Sequence, residues 1–102
     1  MRKIFIKNGV LKQCCIITKV GNLTGEQMED IMKNTDDIIK YVSLLTKKKL
    51  DNYIVGHSSF CYKKCKIGEV YKEESEENGI VYYLITQIIS SNMFYCYSIY
   101  SR

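Results

Sequence analysis

The run from Ile80 to Ile89 constrains what this chain can fold into more than any other segment. β-Branched and aromatic side chains dominate it, as in a strand. Turn-forming Ser90-Ser91-Asn92 and a second such run, Met93 to Tyr100, follow. Strict alternation sets Ile80, Tyr82, Leu84 and Ile88 on one face and Val81, Tyr83, Ile85 and Ile89 on the other. A small antiparallel sheet covered on one side keeps polar residues on its wet face. Here both faces are apolar or aromatic, so both need cover.

The rest of the chain offers one helical segment for that purpose. Thr24 at an N-cap with Gln27 three residues on forms a capping box, and Leu23 with Met28 occupies the hydrophobic-staple positions. Glu26, Glu29 and Asp30 set negative charge near the positive end of the helix dipole. Met28, Ile31, Met32, Ile38, Ile39, Val42 and Leu45 recur as a helical stripe. The expected helix spans about 25–48 and ends at Lys47-Lys48-Lys49; Asn34-Thr35-Asp36-Asp37 is the point where it kinks or splits. Before it, residues 2–7 and Val10 to about Val20 read as strands joined by Asn8-Gly9, a strong two-residue hairpin turn. After it, strands are expected at Tyr53–Val55, His57–Cys65 and Ile67–Tyr71, with an acidic loop from Glu73 to Gly79.

The fold class is therefore α+β: a mostly antiparallel sheet with an N-terminal hairpin, one long or kinked helix on one face, and three or four C-terminal strands. At 102 residues the chain reads as a single domain, 1–102. One helical element covers one face of such a sheet. A partner subunit is the simplest cover for the other, which assigns Tyr82, Tyr83, Ile85 and Phe94 to a homo-oligomer interface. A curved sheet that wraps onto itself is the structural alternative.

Composition narrows the setting. Lysine outnumbers arginine 13 to 2, and Ala, Pro and Trp are absent, a bias that points to AT-rich codon usage as in viral, phage or AT-rich bacterial genes. The start, Met1-Arg2-Lys3-Ile4-Phe5-Ile6-Lys7, meets Lys7 too early for a secretory signal, and no apolar run is long enough for a membrane span. The expected location is the cytoplasm, of the host if the gene is viral. Five cysteines, an odd number, then suit free thiols better than a disulfide framework.

Catalytic signals are weak. His57, Cys61 and Cys65 are spaced four apart. In a strand that spacing is about 13 Å, too far for His57 and Cys61 to share a metal unless a tight turn intervenes. A nucleophile pair of His57 with Cys61 or Cys96 carries no family signature in its sequence context. Gly56-His57-Ser58-Ser59 is not a nucleophile elbow. No phosphate-cradling motif is present. Neither metal nor cofactor is expected.

Binding signals are stronger. Lys63, Lys64 and Lys66 adjoin Phe60 and Tyr62, and six tyrosines lie between Tyr71 and Tyr100. Aromatic rings and cations together suit stacking and charge neutralisation. The leading expectation is a small non-enzymatic binding or inhibitory protein. It would meet a host protein or sequester an anionic nucleotide-like ligand, through Phe60, Tyr62, Lys63, Lys64, Lys66, Tyr95, Tyr97 and Arg102. The first alternative is a nucleic-acid-binding module built on Lys63/Lys64/Lys66 and Lys47–Lys49; net charge of +4 supplies only modest attraction for it. The second is a small enzyme centred on His57 and Cys61.

Overall fold

A computed structural model describes the backbone of residues 2–7, 10–76 and 79–101, and the side chains from Ile16 through Glu76 and from Gly79 through Ser101. The elements are β1 (Arg2–Lys7), β2 (Val10–Asn22), α1 (Gly25–Lys33), α2 (Asp37–Thr46), β3 (Tyr53–Cys61), β4 (Glu69–Ser75), β5 (Gly79–Ser90) and β6 (Met93–Ser101). The strands form one antiparallel sheet in the order β1-β2-β4-β5-β6-β3. The pairing of Lys7 with Val10 leaves two residues to join β1 to β2. The expected turn residues themselves, Asn8 and Gly9, lie outside the described residues, as does Arg102.

The helical segment is split. In α1 the Thr24 hydroxyl accepts from the Gln27 N–H while the Gln27 side chain accepts from the Thr24 N–H, completing the capping box. α1 stops because Asn34 turns extended and its side chain accepts from the Asp36 N–H at 3.1 Å. Side-chain competition of this kind diverts the backbone from helix. α2 ends at Lys47, whose left-handed φ of 59° closes the helix through a bond from its N–H to the Ser43 carbonyl.

Both helices pack on one face, where Ile31, Ile38 and Val42 meet Val70, Tyr82, Leu84 and Ile99. Ile17, Tyr71, Ile85, Phe94, Cys96 and Phe60 form a second buried cluster on the opposite face. This face is covered from within the chain. Phe60 sits on β3, three strand positions from Tyr71 on β4, a separation of about 14 Å in a flat sheet. Their ring centroids are 5.6 Å apart, and Phe60 stacks on Tyr83 at 4.7 Å. The sheet is therefore strongly curled around these rings. The β5–β6 ladder shifts register between Ile85 and Gln87 and again between Ile88 and Ser90, and such bulges bend a strand pair.

The connection from Tyr62 to Gly68 finishes the cover. It inserts Cys65 into the second cluster, and Tyr62 packs edge-on against Tyr71. Gly68 bridges two ladders at once: its N–H donates to the Ile85 carbonyl and its carbonyl accepts from the Leu23 N–H, each at 2.8 Å. Its φ of 95° and the Leu23 oxygen, 3.1 Å from where a Cβ would stand, leave room only for glycine.

Several expectations change here. Residues 62–65 leave the sheet as part of this strap instead of continuing a strand. Glu73 and Glu74 belong to β4 rather than to an acidic loop, with Glu74 paired to Lys72 at 2.9 Å and Glu73 accepting from the Tyr83 hydroxyl. Tyr82, Ile85 and Phe94, expected at an oligomer interface, are buried in the chain's own two clusters, and Tyr83 is half-buried against Phe60. The helices cover Tyr82, and the curled sheet, the structural alternative to a partner subunit, covers Ile85 and Phe94.

Candidate functional site

The helices cover only part of their face. Towards the far ends of β3 and β6 the sheet is left bare, and a groove of about 540 Å³ opens there between His57, Ser59, Tyr95, Tyr97 and Gln87. Its geometry follows from register. His57 pairs directly with Tyr97, and Ser59 with Tyr95, so all four project to the same side. Gln87 joins them through the bulge. Ile85 pairs with Cys96 on the curled face, but Gln87 pairs with Tyr95, so the extra residue Thr86 reverses the alternation. The Thr86 hydroxyl donates to the Tyr95 carbonyl at 3.2 Å and holds the bulge. Ile88, which strict alternation would place beside Leu84, pairs instead with Phe94.

Tyr97 is half-buried on the helix-side core, and its ring packs against His57 with centroids 4.8 Å apart. Tyr95 is 52% exposed, an open aromatic surface at the groove's outer wall. A second cleft of about 370 Å³ shares His57 and Tyr97 and runs to Thr35 and Asp36 in the interhelical turn. Together they make a shallow channel from the α1–α2 junction to the β5 bulge. Nearby on the β5–β6 hairpin, Ile88, Ile89 and Met93 are also exposed.

The structure separates the residues expected to act together. Tyr95 and Tyr97 line the channel. Phe60 is 4% exposed inside the curled face, where no planar ligand reaches it. Tyr62 is half-buried beside it, while Lys63, Lys64 and Lys66 are exposed on the strap, across the sheet from the helices. Among the described residues no lysine lines the channel; its ionisable residues other than tyrosine and cysteine are His57 and Asp36. Lys47, Lys48 and Lys49 instead join Lys40 around the exposed Leu44 at the end of α2. The two basic clusters thus lie on opposite sides of the sheet and form no common surface.

Nor does the structure assemble the enzyme-like pair. His57 and Cys61 both lie on β3, four residues apart in extended backbone. The Cys96 thiol is buried, hydrogen-bonded to Ser58 at 3.4 Å, and pushed up by burial, which favours the thiol over the thiolate. Among the described residues no three metal-ligating side chains converge, and no helix is long and apolar enough to cross a membrane.

One polar site was not visible in the sequence. Glu69 is 8% exposed, and its carboxylate accepts from the Lys66 N–H at 2.6 Å and the Tyr71 hydroxyl at 3.0 Å while pairing with Lys19 at 2.6 Å. Burial pushes this carboxyl up, but the Lys19 ammonium, the Lys66 N–H and the Tyr71 hydroxyl outweigh it and hold the group below its ordinary range. Burial first, then hydrogen bonding with Cys65 and with Glu69, push the Tyr71 phenol well above its usual range. The Glu69 node pins the strap, so its role is structural. Only the proximity of Lys66 to Glu69 hinted at it; Lys19 is fifty residues away along the chain.

Compared with known proteins, the chain matches no family model, no curated protein and no solved structure.

Proposed function

We propose that this chain is a non-enzymatic binding protein that recognises a partner protein through the channel floored by His57, Ser59, Gln87, Tyr95 and Tyr97. The observation that carries this reading is Tyr95: a half-exposed aromatic ring in a concave, polar-rimmed site. Protein interfaces are enriched in tyrosine and methionine and depleted of lysine, and their energetic centres are aromatic rings seated in pockets. Serine, glutamine and histidine around the rings supply hydrogen bonds without a fixed charge. An inhibitory role would follow if the partner's own function needs the surface so occupied.

A photocrosslinking amino acid placed at position 95 in the producing cell tests the reading, with position 29 on the exposed side of α1 as control. A discrete protein adduct from position 95, absent from position 29 and lost on Tyr97→Ala, is the expected result. Equal adducts from both positions would refute the reading.

A second reading rests on one observation, the cluster of Lys40, Lys47, Lys48 and Lys49 at the end of α2. It is a nucleic-acid contact, whose affinity must fall steeply with salt as counterions are released. Absence of binding to a random oligonucleotide at low salt would remove it.

A further inference from the structure

The sheet has two edges, and they are built differently. β1 carries Arg2, Lys3 and Lys7, and its ladder with β2 is broken by a register shift between Ile4 and Ile6. Basic residues and bulges are the ordinary devices that blunt an edge against further pairing. β3 has neither. Its nine residues, Tyr53 to Cys61, contain no Lys, Arg, Asp, Glu or Pro and run in unbroken register along β6. In an antiparallel ladder alternate residues bond to the neighbouring strand and the others turn their N–H and C=O outward. At the start of β3 the Tyr53 N–H is taken by the Leu50 carbonyl at 3.1 Å; from Val55 onward the outward groups form a row, and β3 is last in the strand order.

From this contrast we infer that the β3 edge is a dimerisation site, pairing antiparallel with β3 of a second copy to make one continuous sheet. Three features select a second copy over another strand. First, the chain carries a net charge of +4, so most of its surface repels its own kind, whereas this strand brings no like charges together. Second, a two-fold axis through the edge makes each residue's partner a residue of the same strand, so one row of donors and acceptors satisfies both copies. Third, β1 is blunted, so pairing of β3 with β3 closes and does not propagate into a filament.

Register follows from the pleat. Directly opposed residues of an antiparallel pair project to the same side, so helix-side residues must face helix-side residues and some residue faces its own counterpart. Full overlap of Tyr53–Cys61 puts that residue at His57, the middle of the strand, with Val55 facing Ser59 of the second copy. Both channels then lie on one side of the joined sheet, flanking the axis. The inference goes beyond the partner-binding reading and does not depend on it.

A pairing of two short strands buries less than a standard interface, so the dimer should be concentration-dependent. Sedimentation from low micromolar to near-millimolar protein should show monomer passing to dimer. Hydrogen exchange over the same range should slow at alternate β3 amides and not on β1. His57→Lys sets like charges opposite each other at the axis and should raise the dissociation constant roughly fivefold. Tyr95→Ala, which alters the channel from β6 without touching the edge, should leave it unchanged. A monomer throughout overturns the inference, as does a dimer with unprotected β3 amides. Exchange is read on the unsubstituted protein, so a variant that misfolds leaves the test intact. Crosslinking from position 95 that persists in a strict monomer would sink the dimer and keep the binding reading.

Discussion

Replacing Glu69 by Gln tests how the strap is held. The carboxylate accepts from both the Lys66 N–H and the Tyr71 hydroxyl, and both bonds are charge-assisted. Bonds to a charged group contribute about 1.5–3 kcal/mol each, against about 1 kcal/mol for neutral ones. The amide of the Glu69→Gln variant would keep one acceptor oxygen for both donors but lose the charge, a deficit of at least about 1 kcal/mol across the two. The Lys19 pair adds less than about 1 kcal/mol, since the lysine is 49% exposed and screened by water. A loss of at least about 1.5 kcal/mol follows, which for a domain of this size lowers the Tm by about 6–12 °C or more.

The pH dependence distinguishes this account from simple loss of packing. The folded protein holds the Glu69 carboxyl below its ordinary range, so the unfolded chain binds its proton more readily. Stability from this group is therefore complete above the unfolded value of about 4.3 and drains away as pH falls through the lower folded value. Glutamine has no proton to take up. Urea denaturation of both proteins should show a gap that is full at neutral pH and narrows below about pH 4. Glu74, also held low, first by Lys72, is common to both and cancels in the comparison. Equal stability at neutral pH, or a gap indifferent to acid, would refute the argument.

Phe60→Ala removes the ring around which Tyr62, Tyr71 and Tyr83 gather, and large-to-small changes at such buried sites cost about 3–5 kcal/mol. Urea midpoints should fall accordingly, and hydrogen exchange should quicken first in the strap, residues 62–68. Among the thiols at 61, 65 and 96, Cys61 is exposed while the other two are buried and pushed up by burial. Alkylation followed by peptide mapping should label Cys61 first; comparable labelling of Cys65 would mean that the strap opens readily.

What the sequence could reveal here was whatever rests on near neighbours. The capping box at Thr24, the hairpin spacing of β1 and β2, and the β5–β6 pair are local patterns, and they fold as read. The division at Asn34 was visible only as an alternative, since its outcome depends on one side chain's competition with a helical bond. What escaped detection is what depends on residues far apart. Strict alternation misassigned Ile88, because nothing about Thr86 in isolation marks a bulge. Phe60 and Tyr62 were grouped with the neighbouring lysines by adjacency, whereas curvature sorts them inward and the lysines outward. Tyr95 and Tyr97 were identified from the sequence as a pair, and the structure places both in the channel; Gln87, Ser59 and Asp36 needed the register and the interhelical turn to bring them there.

The bulge at Thr86 connects these outcomes. With regular pairing, Gln87 would fall on the same face as Ile85, setting a polar amide into the curled cluster and removing it from Tyr95. It would also send Ile88 to the helix side, beyond the reach of α1 and α2. One extra residue thus has two effects: it helps bend the sheet so that Phe60 can reach Tyr71, and it hands a hydrogen-bonding side chain to the bare end of the opposite face. Curling buries the centre of the apolar face within the chain, although Ile88 stays 51% exposed, and so weakens hydrophobic burial as a reason to associate. The polar groups left unsatisfied are the outward backbone groups of β3 from Val55 onward and the rim around Tyr95. Any association this protein makes through them must therefore be driven chiefly by hydrogen-bond and aromatic complementarity, which favours specific and reversible contacts over a permanent apolar interface.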